Sequence, residues 1–324
     1  MGKEPKGYLA RLGEIFHTSN LARCFTAESA GFASEIIGGG KRMPRAVRVP
    51  AQYYQQFDAD YTLDVPAEGY GGWKTAEIEI DLDRIAVVVM HAWHPRTREQ
   101  FPGWYRAVEY LPRSAQICRE VFPNLLGGAR EAGVKVFHVV GGGNYYQHLP
   151  GYQRTRELAG EPPPPLECIE PDPSLAKLQQ FRAENVFVGR HNQADIQRAF
   201  QQLDFAPEAE PWQGEEIAEN GHQLFALCKH YGINHLIYAG FAINWCLLLS
   251  PGGMADMSQR GVMCSAFRQA VTAVENKETA RQELCKQIAL WRVALAFGFV
   301  FDVEEFLMCL HRSSFTGENE NRST

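Results

Sequence analysis

His235-Leu-Ile-Tyr-Ala-Gly-Phe-Ala-Ile-Asn-Trp-Cys246 is the stretch on which the fold is decided. His235 to Ala239 reads as a strand, Gly240 permits a tight turn, and Asn244 is placed to cap the helix that follows. Cys246 then falls in the first turn of that helix. A thiol there meets unpaired backbone N–H groups and the positive end of the helix dipole, which favour thiolate and lower the pKa below about 8.5. Strand, turn and helix make one unit of an α/β fold, and Cys246 is its candidate nucleophile.

The same unit recurs on either side. Ile85 to Met90 (IAVVVM) is a continuous apolar run, the mark of a strand covered on both faces. A helical stretch runs from about Arg113 to Ala132, interrupted at Pro123, and ends at Gly133. Val134 to Val140 reads as the second strand and Asn185 to Val188 (NVFV) as the third. Between them lies a long excursion carrying GGGNYYQHLPGY and EPPPPLE, whose prolines favour an extended path. Ile217, Leu224, Cys228 and Tyr231 share a helical face ahead of Gly232, and the acidic run Glu208 to Glu219 reads as a solvated surface. Gly261 to Cys264 is a short strand, Leu284, Ile288, Trp291 and Leu295 mark an amphipathic helix, and Phe299 to Phe301 an edge strand. The expected fold is therefore α/β: a three-layer α/β/α sandwich around a doubly wound, mainly parallel sheet. Ligands of such sheets bind beyond the carboxyl ends of the strands, here just after residues 90, 140, 188 and 239.

Residues 1–75 show no sustained period and are expected to form an N-terminal extension packing through its tyrosines. Residues 76–312 are the α/β domain, and 313–324 a disordered tail. Ile233 to Met254 is the most apolar stretch, but Gly240, Asn244, Pro251, Gly252 and Gly253 divide it into core elements too short to span a membrane. At 324 residues with a net charge of −6, the chain lacks the cationic excess a general nucleic-acid binder needs, so the expected partner is a small molecule. Eight cysteines without a CxxC pair, and no apolar leader at the N-terminus, point to a reduced, cytoplasmic setting.

Phosphate-loop and dinucleotide motifs fail on inspection. GGGK at 38–41 has Glu35 where the first glycine of a phosphate loop belongs and Arg42 where Ser or Thr would bind Mg²⁺. GGGN at 141–144 follows a strand, yet Tyr146 occupies the third glycine position and no helix is expected there. No cofactor is expected. His91 and His94, with His148 in a nearby loop, form an alternative metal set that lacks an acidic ligand at metal-like spacing.

The pattern Gly-Phe-Ala-Ile-Asn-Trp-Cys between strand and helix, REAGVKVFHVV at 130–140 and FGFVFDVEEF near the end together resemble the isochorismatase-like cysteine hydrolases, over roughly Ile85 to Leu310. That superfamily includes nicotinamidases, N-carbamoylsarcosine amidohydrolase and isochorismatases. The resemblance implies a nucleophile at Cys246, an oxyanion hole of the Cys246 and Ala242 backbone N–H groups, and a cis peptide between Phe241 and Ala242. It also implies a homo-oligomer. Two positions depart from the family pattern: His91 stands where the family has an aspartate, and Gly189 with Arg190 beside it where the family has a lysine. The histidine metal motif of some nicotinamidases is replaced by GGGNYYQH.

A neutral imidazole at His91 is suited to take the proton of Cys246, and the always-charged Arg190 to hold the thiolate or a substrate carboxylate. Trp93, His94, His138, Tyr145, Tyr146, His148 and Asn244 are expected to line the same crevice, with His191 a weaker candidate. The function this implies is hydrolysis of a small amide, ester or related C–N substrate through a thioester at Cys246. Two alternatives stay open: a non-catalytic small-molecule-binding or assembly protein of the same fold, and a metal-dependent enzyme built on the histidines.

Overall fold

Ile85–Met90 is buried at every position, and its side chains divide between two cores. Ile85, Val87 and Val89 join one apolar cluster, and Ala86, Val88 and Met90 the other. This is the two-residue period of a strand covered on both faces. The computed structural model describes residues 45–212 and 214–320, with side chains through residue 312.

The strands are β1 (Ala46–Gln55), β2 (Gly72–Asp81), β3 (Ile85–Met90), β4 (Lys135–Val139), β5 (Glu216–Ala218), β6 (His235–Phe241), β7 (Met263–Thr272) and β8 (Val300–Phe301). They form one eight-stranded sheet in the order β2-β1-β8-β7-β6-β3-β4-β5. From β8 to β5 all neighbours run parallel, while β1 is antiparallel to both β8 and β2. The helices are α1 (Pro102–Ala107), α2 (Leu111–Glu120), α3 (Phe122–Glu131), α4 (Pro150–Ala159), α5 (Pro173–Asn185), α6 (Gln193–Phe200), α7 (Gly221–Tyr231), α8 (Met254–Gln259), α9 (Leu284–Ala296) and α10 (Val303–Glu320). Side chains of α2, α3 and α10, Cys118, Phe122, Leu125 and Phe306 among them, complete the first core. Those of α7, α8 and α9, such as Leu224, Met257 and Leu290, complete the second. The three layers and the mainly parallel sheet are as expected. Among the described residues no helix is long and apolar enough to cross a membrane.

Several elements differ from the sequence reading. Asn185 to Val188 is not a strand: α5 ends at Asn185 and the chain turns through Gly189, whose φ is +88°. The strand beside β4 is β5, inside the acidic run expected to be solvated, with Ile217 and Ala218 buried. Only two of its three residues are apolar, too few to show a period. Residues 46–55 and 72–81 form a register-matched hairpin on the sheet rather than a tyrosine-packed arm, so the expected boundary at 75/76 falls within β2. Val47, Val49 and Ala51 alternate inward along β1. Residues 1–44 of the expected extension lie outside the described residues, as do 321–324 of the tail, while α10 continues to Glu320.

Pro123 divides the expected helix into α2 and α3, standing in the first turn of α3 where a missing N–H costs nothing. The short strand at 261–264 is the ten-residue β7. Phe299 to Phe301 supplies β8, which lies between β7 and β1 and is no edge. The helix that Leu284, Ile288, Trp291 and Leu295 mark is α9, but its inward face is another one: Leu284 and Ile288 are exposed, Trp291 and Leu295 half-buried, and Ala289, Leu290 and Val293 buried.

Candidate active site

Strands β3 and β6 are neighbours, yet the chain leaves them in opposite directions, to β4 and β5 on one side and to β7 and β8 on the other. Such a reversal opens a crevice beyond the carboxyl ends of the two strands. His91 follows β3 directly, and the Cys246 turn follows β6.

The β6 turn is sterically determined. Met90 pairs with Gly240, whose φ is +122°, and a Cβ on Gly240 would lie 2.0 Å from the Met90 carbonyl oxygen. Only glycine fits. The Phe241-Ala242 peptide is cis, as the resemblance implied, and the Phe241 ring stacks on Phe122 at 5.9 Å. Ile243–Leu247 is one π-helical turn rather than the start of a long helix, with the Trp245 and Leu247 N–H groups donating to the Ala242 carbonyl. Asn244 does not cap it. Its side chain instead brackets Val274, donating to that carbonyl at 2.8 Å and accepting from that N–H at 2.9 Å.

Cys246 is part-buried. Burial pushes its thiol above the usual range, an effect that the neighbouring Ser250 hydroxyl and Ala242 backbone N–H oppose. The expected lowering is therefore reversed: a single turn carries little dipole, and desolvation of the thiolate outweighs it. The phenol of Tyr110, just ahead of α2, is raised by its own burial and by the neighbouring Cys246 and Glu109.

His91 turns the chain in the left-handed region, at φ +51°, with its N–H donating to Val139 O at 3.0 Å. Its ring stacks on Trp93 at 4.8 Å and 13°, and its Nε2 lies 3.1 Å from where a Cβ on Gly141 would stand. Its Nδ1 is buried without a hydrogen-bond partner, and burial brings the imidazole down to about 4. The ring is thus neutral at pH 7. No hydrogen bond joins it to Cys246 among the described residues.

Trp93, Tyr145 and Tyr146 do come together behind His91. The Trp93 indole N–H donates to the Tyr145 hydroxyl at 2.9 Å, and the two tyrosine rings meet edge to face at 5.1 Å. His94 is occupied locally, its Nδ1 accepting from the Arg96 N–H at 2.9 Å, and His148 is exposed. His138 is buried within β4, 2.9 Å from Glu215, instead of lining the crevice, because its position in the strand turns it toward Arg130 and α3. Among the described residues no group of three His, Cys, Asp or Glu side chains is placed to hold a metal, so His91, His94 and His148 do not converge.

Arg190 is 76% exposed and ion-paired with Glu184, because the segment that carries it is a turn after α5 and not a strand end. Three residues earlier, Phe187 meets Trp245 edge to face at 5.3 Å, which keeps this segment beside the Cys246 turn. Sequence reasoning missed Tyr110 and Ser250. Ser250 was legible as the residue one helical turn beyond Cys246, whereas nothing local marks Tyr110.

No family model and no curated protein matches the sequence. Solved structures do. The chain is similar to a cysteine hydrolase from Pseudomonas syringae pv. phaseolicola, at 14% identity over 72% of this chain and 95% of that one, with a TM-score of 0.41. It is similar to an isochorismatase from Pseudomonas putida, at 16% identity over 69% and 91%, with a TM-score of 0.37. An isochorismatase-like hydrolase from Alkaliphilus metalliredigens matches at 12% identity over 69% and 98%, also at 0.37.

Proposed function

We propose that this protein is a cysteine-dependent hydrolase of a small amide, ester or related C–N substrate, with Cys246 as the nucleophile. One observation carries the reading: at the crevice between β3 and β6, Cys246 stands in the π-helical turn that follows β6, held by the Trp245 and Leu247 N–H groups donating to the Ala242 carbonyl. In this mechanism the thiol loses its proton as sulfur attacks the substrate carbon. The S–C bond forms, and the π electrons move to oxygen, which the Ala242 and Cys246 N–H groups receive. Collapse expels the amine or alcohol, and water cleaves the thioester to release the acid. His91, neutral at pH 7, is the base, delivering the proton it takes to the leaving group. Trp93 and Tyr145 form the aromatic wall against which the substrate packs. Arg190 is outside the mechanism. The protein acts in this reading as a cytoplasmic homo-oligomer.

A specific observation favours the second reading, a binding protein of the same fold: His91 and Cys246 share no hydrogen bond, and the thiol is raised rather than lowered. p-Nitrophenyl acetate separates the two. A nucleophilic Cys246 releases nitrophenolate in a burst and leaves an acetyl group on the peptide carrying residue 246. Cys246→Ala abolishes both, and His91→Ala slows the burst by about a hundredfold, the usual contribution of a general base. An unacetylated Cys246, with turnover equal in wild type and Cys246→Ala, would overturn the hydrolase reading.

A further inference from the structure

We infer that helix α5 (Pro173–Asn185) and the segment leading into it form the face on which two copies of this chain pair, α5 antiparallel to α5. This rests on the reading of the protein as a homo-oligomer and assigns that assembly its surface.

Every residue from 161 to 182 is exposed, and α5 buries none of its own. Local sequence explains why it is helical: Pro173 opens it, and the Asp172 carboxylate accepts from the Leu175 N–H at 2.7 Å. A helix of 13 residues without a buried face is marginal in water, so a cap alone does not hold it. Leu175, Leu178 and Phe181, three residues apart, form an apolar stripe on one side of α5. Across the helix from Leu178 stand Ala183 and Glu184, both half-buried, which mark the side turned to the chain's own body. The stripe is thus directed away from the chain that bears it. Leu166 and Ile169 ahead of the helix are each 89% exposed, and Val186 behind it is 60% exposed. The six side chains together offer roughly 700 Å², close to the roughly 800 Å² that each partner buries in a standard interface. Exposed apolar surface of that extent marks a contact face.

The charges decide what covers it. Glu161, Glu167 and Glu170 precede the helix, Lys177 and Arg182 stand within it, and none of the five makes an ion pair among the described residues. The segment is therefore acidic at its amino end and basic toward its carboxyl end. A two-fold axis near Leu178 sets the basic half of each helix against the acidic lead-in of the other, and Val186 of each copy beside Ile169 of the other. Parallel pairing would set like charges and like helix ends together. The face is thus complementary to itself, as it is not to a partner of one uniform charge. Phe187, just past α5, meets Trp245 edge to face at 5.3 Å, so the paired face adjoins the Cys246 turn.

Sedimentation velocity of the full chain between about 1 and about 100 μM tests this. Wild type is expected as a dimer or as an oligomer built of dimers. Leu178→Glu combined with Phe181→Glu halves the sedimenting mass, while near-UV circular dichroism stays that of wild type, because both side chains are exposed in their own chain. Arg182→Glu alone raises the dissociation constant of the pair about tenfold, since the symmetric interface brings like charges together twice. Adding Glu170→Arg restores the wild-type value, a rescue that repair of folding or of helix propensity does not mimic. A monomeric wild type would overturn the inference together with the homo-oligomer reading, the stripe then being covered by something other than a second copy. An oligomer that the double glutamate variant leaves intact, or an Arg182→Glu defect that Glu170→Arg does not relieve, would overturn the antiparallel surface alone. Acetylation of Cys246 by p-nitrophenyl acetate is read on the same samples, so the chemistry and the surface fail independently.

Discussion

At the residue scale, the crevice exists because one side chain is missing. Gly240 carries φ +122° at the last pair of the β3–β6 ladder, and any Cβ would drive into Met90 O at 2.0 Å. Gly240→Ala therefore separates β3 from β6 or forces the β6 turn to rebuild. The expected cost is at least about 3 kcal/mol, combining backbone strain with a buried clash. Urea unfolding measures it, and a loss under about 1 kcal/mol would show that the strand end yields. Gly240 as the turn and Cys246 at its far end were both legible in HLIYAGFAINWC. The thiol's ionisation was not, because it depends on the depth of burial and on a hydroxyl one turn away, and helix dipole arguments need a longer helix than this turn.

Elements were legible in proportion to their length and to how many layers cover them. Strands β3, β4 and β6 announced themselves as apolar runs, whereas β5, three residues inside an acidic stretch, did not. Its acidic neighbours are explained by what they meet. Glu215 accepts from Arg130 Nε and Nη2 at 2.8 Å each and lies 2.9 Å from His138 Nε2. These partners bring its carboxyl down to about 2 despite the opposing effect of burial, the largest single influence on it. Glu215→Ala leaves half-buried Arg130 and buried His138 without their acceptor, at a cost of about 3 kcal/mol. Adding Arg130→Met recovers part of that loss, because the orphaned charge is removed. Urea denaturation of the two single variants and the double would show it; strictly additive losses would mean the pair is not coupled.

At the scale of the whole sheet, burial disfavours the charged form of His91, His138 and His235. His235, 7% exposed and 2.7 Å from the Ser265 hydroxyl, is brought down to about 4 by burial, as is His91. Between 6.5 and 4 the unfolded chain binds a proton at this position that the folded chain refuses, so stability is full above pH 6.5 and falls as the pH drops toward 4. One histidine shifted this far accounts for about 3 kcal/mol at the acid end. His235→Gln, which keeps a hydrogen-bonding group against Ser265, is expected to flatten the fall by about that amount in unfolding curves taken from pH 7 to pH 4. An unchanged slope would mean His235 is protonated in the native state.

The amino-acid sequence by itself determined the α/β class, the two-sided burial of β3 and the glycine turn that leads from β6 to Cys246, because apolar period, glycine placement and thiol position are local properties. Tertiary structure alone decided that residues 46–81 extend the sheet, that α9 turns its Ala289, Leu290 and Val293 face inward, and that Arg190 faces solvent. Those outcomes depend on which strand edge is free, which helix side meets a neighbour and where a loop returns. It also decided the electrostatics of the crevice. His91 and Cys246 are ordinary titratable groups in the sequence, and only burial in the fold brings the imidazole of the one down and pushes the thiol of the other up.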